Sequence, residues 1–144
     1  MSEREPEVNP VMVTIGFAAG DDGKGVAFAM LDDGTQPTTF RVAFSLRLRR
    51  ALRGRDVAYA AANAVTEALL ERGVRSMVLR LGDERLVTDL KERAALPTPL
   101  SVPYVALRCR LNRFAEARVQ APAGAVGRDL TGRALAEVSL DIAA

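Results

Sequence analysis

The rhythm of apolar and polar positions changes several times along the chain, and each change predicts an element. From Val11 to Ala18 the residues VMVTIGFA are apolar and β-branched, which predicts a strand. A polar turn rich in Gly and Asp, Ala19 to Gly25, leads to a second apolar strand, Val26 to Leu31. The turn Asp32-Asp33-Gly34 follows, and its Asp-Gly step is a hairpin signal. Thr38 to Phe44 alternates polar and apolar side chains, as a half-buried third strand does. Three sequential antiparallel strands are the economical arrangement. Gly20-x-x-Gly23-x-Gly25 joins two of them and opens no helix, so it is not a phosphate loop.

The period then lengthens. Arg55 to Arg72 predicts a helix, with Asp56 as a cap, an apolar face of Val57, Ala60, Ala61, Ala64, Ala68 and Leu69, and Gly73 at the C′ position. Met77 to Leu81 is short and apolar and suits a central parallel strand. Leu86 to Leu96 predicts an amphipathic helix stopped by Pro97 and Pro99. Tyr104 to Arg113 predicts another, with Val105, Leu107, Cys109 and Leu111 partly buried and Arg108, Arg110 and Arg113 facing solvent. Ala115 to Gln120 alternates like a fifth strand, and Arg128 to Val138 can form a closing helix. The order βββαβα(α)βα predicts an α/β fold, a mixed five-stranded sheet with helices on its faces. Residues 1–10 read as a disordered tail and residues 11–144 as one domain.

Composition narrows the chemistry. A 49% hydrophobic fraction is ample for a core, and no run approaches the ~18 apolar residues of a membrane span. The opening MSEREPEVNP is polar and acidic, unlike a signal or transit peptide. A cytoplasmic protein with no membrane partner is the expectation. One cysteine, Cys109, excludes an internal disulfide and is expected as a small core residue. The absence of histidine removes Cys/His zinc sites and Ser-His-Asp triads. Net charge is +2, but Glu3, Glu5 and Glu7 against Arg4 give the first eight residues −2, which leaves +4 for the rest. The only lysines are Lys24 and Lys91. Abundant Arg and Ala fit GC-rich codon usage, and arginine forks also suit phosphate. Arg47, Arg49, Arg50, Arg53 and Arg55 cluster before the first helix. They are either a phosphate-binding patch that releases counterions or a solvated linker with Leu46, Leu48 and Leu52 turned inward.

Three stretches carry a family resemblance. Val57-Ala58-Tyr59 is similar to the Ala-Glu-Tyr that begins the first helix of the ribonuclease H type 1, or reverse-transcriptase-like ribonuclease H, family. Gly82-Asp83-Glu84 resembles the family's Gly-Asp-Ser, and Leu111 to Glu137 resembles its closing segment, with Asp129 at the last metal-binding Asp. The resemblance implies four carboxylates holding two magnesium ions that hydrolyse a phosphodiester. Asp83 and Asp129 are the candidate catalytic and metal-binding residues. The first strand, Thr14-Ile15-Gly16-Phe17-Ala18, has no acid, and Ala58 stands where the helix Glu belongs. Two dications ~4 Å apart repel by ~17 kcal/mol at an effective dielectric of ~20, more than two carboxylates offset. The expectation is therefore a catalytically degenerate member with no cofactor, binding nucleic acid (RNA/DNA hybrid or structured RNA) or a protein partner without hydrolysis. The enzyme alternative is a Mg2+- or Mn2+-dependent endoribonuclease on such hybrids, using Asp83, Asp129 and a substitute acid from Asp21 or Asp22. A third reading is a scaffold or homodimerisation module. Asp83 and Asp129 are expected to converge at the end of the central strand, with Ala58 and Gly16 or Phe17 in the remaining positions. Their ordinary roles would be an N-cap for Asp83 and a first-turn acid for Asp129.

Overall fold

In the computed structural model, residues 10–46, 54–92 and 96–143 are described. β1 (Val11–Ala19), β2 (Lys24–Asp32) and β3 (Thr38–Ser45) form an antiparallel meander in which Ile15 pairs with Ala29 and Ala29 with Phe40. The first turn closes because Gly23 adopts φ +83° and the Asp22 carboxylate accepts the Lys24 backbone N–H at 3.0 Å. α1 (Arg55–Glu71) then crosses to β4 (Ser76–Arg80), which pairs parallel to β1. α2 (Glu84–Glu92) and α3 (Thr98–Leu111) precede β5 (Glu116–Gln120), parallel to β4, and α4 (Gly124–Ala143) closes the chain. The sheet order is β3-β2-β1-β4-β5. The mixed five-stranded α/β sheet expected from the pattern is the one observed.

α1 ends as its sequence dictates. Gly73 takes φ +82°, its N–H donates to Leu70 O at 3.1 Å, and the Val74 N–H donates to Leu69 O at 3.0 Å. These two bonds satisfy carbonyls the helix would otherwise leave open.

Alternation along β1 sets the layers. Val13 and Ile15 join Ala58, Tyr59, Val65 and Leu69 in the main core under α1. Ala18, with Val26 and Phe28 of β2, packs against Leu130 and Ala134 of α4. Gly16 lies on that second face, where a Cβ would fall 2.2 Å from the Thr131 backbone N. α4 therefore rests on the bare backbone of the central strand.

Three helices begin earlier than the sequence pattern predicts, α2 by only two residues, at Glu84. α3 starts at Thr98, since Pro99 sits in its first turn, where a missing N–H leaves nothing unpaired. Pro103 lies inside α3, and its carbonyl accepts Asn63 Nδ2 at 3.0 Å. α4 starts at Gly124 instead of Arg128. Val105 and Cys109 are exposed, contrary to expectation, because each lies two residues from the buried Leu107. At about 100° per residue, that spacing carries a side chain to the far face of a helix. The expected solvent face of arginines is also partly internal. Arg108 donates to the Tyr104 hydroxyl at 3.0 Å and to the Leu90 carbonyl, and Arg110 donates to Asn63 Oδ1 at 2.8 Å, while Arg113 is exposed.

α2 is tied to α1 by Asp89, whose Oδ2 accepts Arg55 Nη2 at 2.7 Å and the Tyr59 hydroxyl at 2.8 Å. Burial first, then this hydrogen bond, raises the Tyr59 pKa above its ordinary 10.0. The unfolded chain thus loses this proton at lower pH than the folded one, so the contribution is intact below pH ~10 and lost above it.

Three substitutions test these contacts by stability. Asp89→Ala leaves the Tyr59 hydroxyl and a partly buried Arg55 guanidinium without their acceptor and should cost about 2–3 kcal/mol in urea unfolding. Tyr59→Phe should cost about 1 kcal/mol and reduce the loss of stability above pH ~10. Gly16→Ala should cost about 1–3 kcal/mol by pushing α4 off β1, read as a lowered denaturation midpoint with an unchanged slope.

Candidate functional site

β1 outruns its neighbour. Thr14 pairs with Arg80, the last residue of β4, so Gly16 and Phe17 extend past the end of β4. The chain leaves β4 through buried Leu81, whose N–H donates to Gln120 O at 3.1 Å, and turns at Gly82 into α2. The resulting cleft, 500 Å3 in volume, is lined by Phe17, Gly82, Asp83, Glu84, Arg85 and Thr131.

Asp83 is at the cleft, and it is also the cap of α2. Its Oδ1 accepts the Arg85 N–H at 2.9 Å and the Leu86 N–H at 3.3 Å, while Oδ2 lies 3.4 Å from Arg85 Nη2. These are the orphan donors of a helix start, and a carboxylate there also complements the helix dipole. Its side chain is only 12% exposed.

Asp129 sits elsewhere on α4. Gly127, Leu130 and Ala134 are buried, and at about 100° per residue that face turns Asp129 outward, where it is exposed. Because α4 begins at Gly124, Asp129 falls in the second turn and not the first. The residue that α4 brings to the cleft is Thr131. Ala58 is fully buried in the main core. Asp21 and Asp22 are exposed at the hairpin tip, and neither lines the cleft. Arg55 turns inward to Asp89, whereas Arg47, Arg49, Arg50 and Arg53 lie outside the described residues.

A two-metal centre does not fit this cleft. Among the described residues no group of three or more His, Cys, Asp or Glu side chains is placed to hold a metal ion. Asp83 commits one oxygen to two backbone donors, and Phe17 offers none. The chemistry the cleft offers is a half-buried aromatic face, a hydroxyl, two adjacent carboxylates of which Asp83 is committed to the helix cap and Glu84 is exposed, and the Arg85 cation.

The architecture is that of solved ribonucleases H. RNase H1 of the halophilic archaeon Halobacterium salinarum is 18% identical, with TM-score 0.69 over 90% of this chain and 99% of that one. The N-terminal RNase H domain of Rv2228c from Mycobacterium tuberculosis is 13% identical, with TM-score 0.68 over 92% and 98%. LC11-RNase H1, solved in complex with an RNA/DNA hybrid, is 12% identical, with TM-score 0.61 over 88% and 97%. The chain therefore has the ribonuclease H-like fold. No family model and no curated protein sequence matches it.

Thr131, Glu84 and Arg85 were not among the residues expected at the site. The signal for Thr131 is the spacing of Gly127, Leu130, Thr131 and Ala134, one helix face whose small members allow close approach to a strand. Asp83→Ala should lower stability by about 1 kcal/mol through loss of the cap, whereas Asp129→Ala should stay within about 0.5 kcal/mol. Paired urea titrations of the two variants measure the difference.

Proposed function

We propose that this chain is a catalytically degenerate ribonuclease H-fold protein that holds nucleic acid, an RNA/DNA hybrid or structured RNA, without cutting it. One observation carries the reading: the cleft at the end of β4 holds two adjacent carboxylates, a capped Asp83 and Glu84, beside Phe17 and Thr131, and among the described residues no group of three or more acids is placed to hold a metal ion. Two carboxylates, one of them committed to a helix cap, do not offset the mutual repulsion of two dications.

Support for nucleic acid as ligand is separate. LC11-RNase H1, which shares the fold, was solved with an RNA/DNA hybrid. The +4 charge beyond the first eight residues and the arginines at 47, 49, 50 and 53 supply phosphate partners. Binding through phosphates positions a duplex without reading its sequence.

Labelled RNA/DNA hybrid should stay intact in millimolar magnesium and then manganese. Cleavage that disappears in Asp83→Asn would instead establish the metal-dependent endoribonuclease. Fluorescence anisotropy should show binding to hybrid that weakens with salt. Each phosphate neutralised contributes about −0.9 to the slope of log affinity against log salt. Replacing Arg49, Arg50 and Arg53 by Ala should flatten that slope and weaken all sequences alike. Absence of binding to hybrid, duplex and single strand at low salt would leave the scaffold reading in its place.

A further inference from the structure

β5 is an edge strand: β4 is its only partner in the sheet among the described residues. Its five residues alternate, with Glu116, Arg118 and Gln120 exposed and Ala117 and Val119 turned toward the main core. Along this edge, between β5 and α2, runs a groove of 290 Å3. Val87, Leu90, Leu111, Ala117 and Val119 make it apolar, and Lys91, Arg108 and Arg118 add three cations. The Arg108 guanidinium is fixed there by its bonds to the Tyr104 hydroxyl and the Leu90 carbonyl. Lys91 and Arg118 are exposed, and the nearest ion pair of Arg118, with Glu116 at 3.5 Å, is itself largely exposed and weak.

We propose that this groove is a docking site for an extended peptide of alternating apolar and acidic residues, which adds to the sheet as a sixth strand beside β5. Three features select that partner. The unpaired edge of β5 offers backbone donors and acceptors over about 17 Å, enough for four or five residues of a pairing strand. Alternate side chains of such a strand fall on the apolar groove, and the others on the side of Arg118. The cationic rim favours acids at those outer positions and at the strand end near Lys91. A nucleic acid suits the groove less well: its bases find no aromatic side chain among the lining residues, and its phosphates gain nothing from five aliphatic side chains.

The test uses the full chain and a fluorescein-labelled hexapeptide of alternating valine and aspartate. Its anisotropy should rise saturably, and raising the salt should weaken binding. A valine–lysine hexapeptide should not bind, nor should the acidic peptide with its alternate amides N-methylated, which removes the strand donors. The double variant Lys91→Glu/Arg118→Glu, both on exposed side chains, should weaken the acidic peptide at least about tenfold while leaving the melting temperature unchanged. Equal binding of the lysine peptide, indifference to the double variant, or no saturable binding of the acidic peptide would overturn the proposal. So would displacement of the peptide by RNA/DNA hybrid together with loss of hybrid binding in the double variant, an outcome that would make the groove a nucleic-acid surface. Hybrid binding that is unchanged in the double variant keeps this test separate from the reading of the cleft.

Discussion

The rest of the molecule depends on the contact between the backbone of β1 and that of α4 at Gly16. A methyl group there would stand 2.2 Å from the Thr131 nitrogen and 2.5 Å from the Leu130 carbonyl carbon, so no other residue fits without moving the helix. The close approach fixes the height of α4 over the sheet and seats Leu130 and Ala134 against Ala18, Val26 and Phe28. It also decides which α4 side chain reaches the end of the strands. With Leu130 and Thr131 pressed on Gly16, Thr131 meets the cleft and Asp129 is turned to solvent.

Chemistry at the cleft follows from that placement. A carboxylate at the start of a helix can serve backbone N–H groups or a cation, and its neighbours decide which. Asp83 has the Arg85 and Leu86 N–H groups at hydrogen-bond distance and a guanidinium beside its second oxygen. Its cleft neighbours Phe17 and Thr131 add no charge, and Glu84 is the one further acid in the lining, too few to draw two dications. The local field therefore favours the cap. The same residue type at the same strand end can thus support structure in one setting and metal chemistry in another.

How much of this was legible in the sequence depends on the range of the interaction. The meander, α1 with its Gly73 terminus and the order of elements along the chain rest on local period and turn chemistry, and these appear in the residues themselves. Helix starts at Thr98 and Gly124 were harder to read, because proline in a first turn and glycine at positive φ look like breaks in a linear pattern. The exposure of Cys109 follows from helical phase once Leu107 and Leu111 are fixed inside; reading every second residue as buried imposes a strand period on a helix. Asp83 as a cap was legible from its place before Glu84. The inward turn of Arg55 was not, since its partner Asp89 lies 34 residues away. The phase of α4 at Asp129 was hidden for a similar reason, being set by Gly16 on a distant strand.

α2 connects the two surfaces, with its start at the cleft and Val87, Leu90 and Lys91 at the β5 groove. Nine residues at 1.5 Å each separate its ends by only about 13 Å, so a ligand in one place could influence the other through this helix. Influence needs a helix with two arrangements that the ligands distinguish. Asp89 argues against that, because it pins α2 to Arg55 and Tyr59 through a partly buried ion pair and a buried hydrogen bond. A shift of α2 would have to give up both contacts at once, and no second arrangement of the helix is there to receive a ligand's bias. The two proposed surfaces therefore share a helix held in place by Asp89, and binding at one is expected to leave the other unchanged.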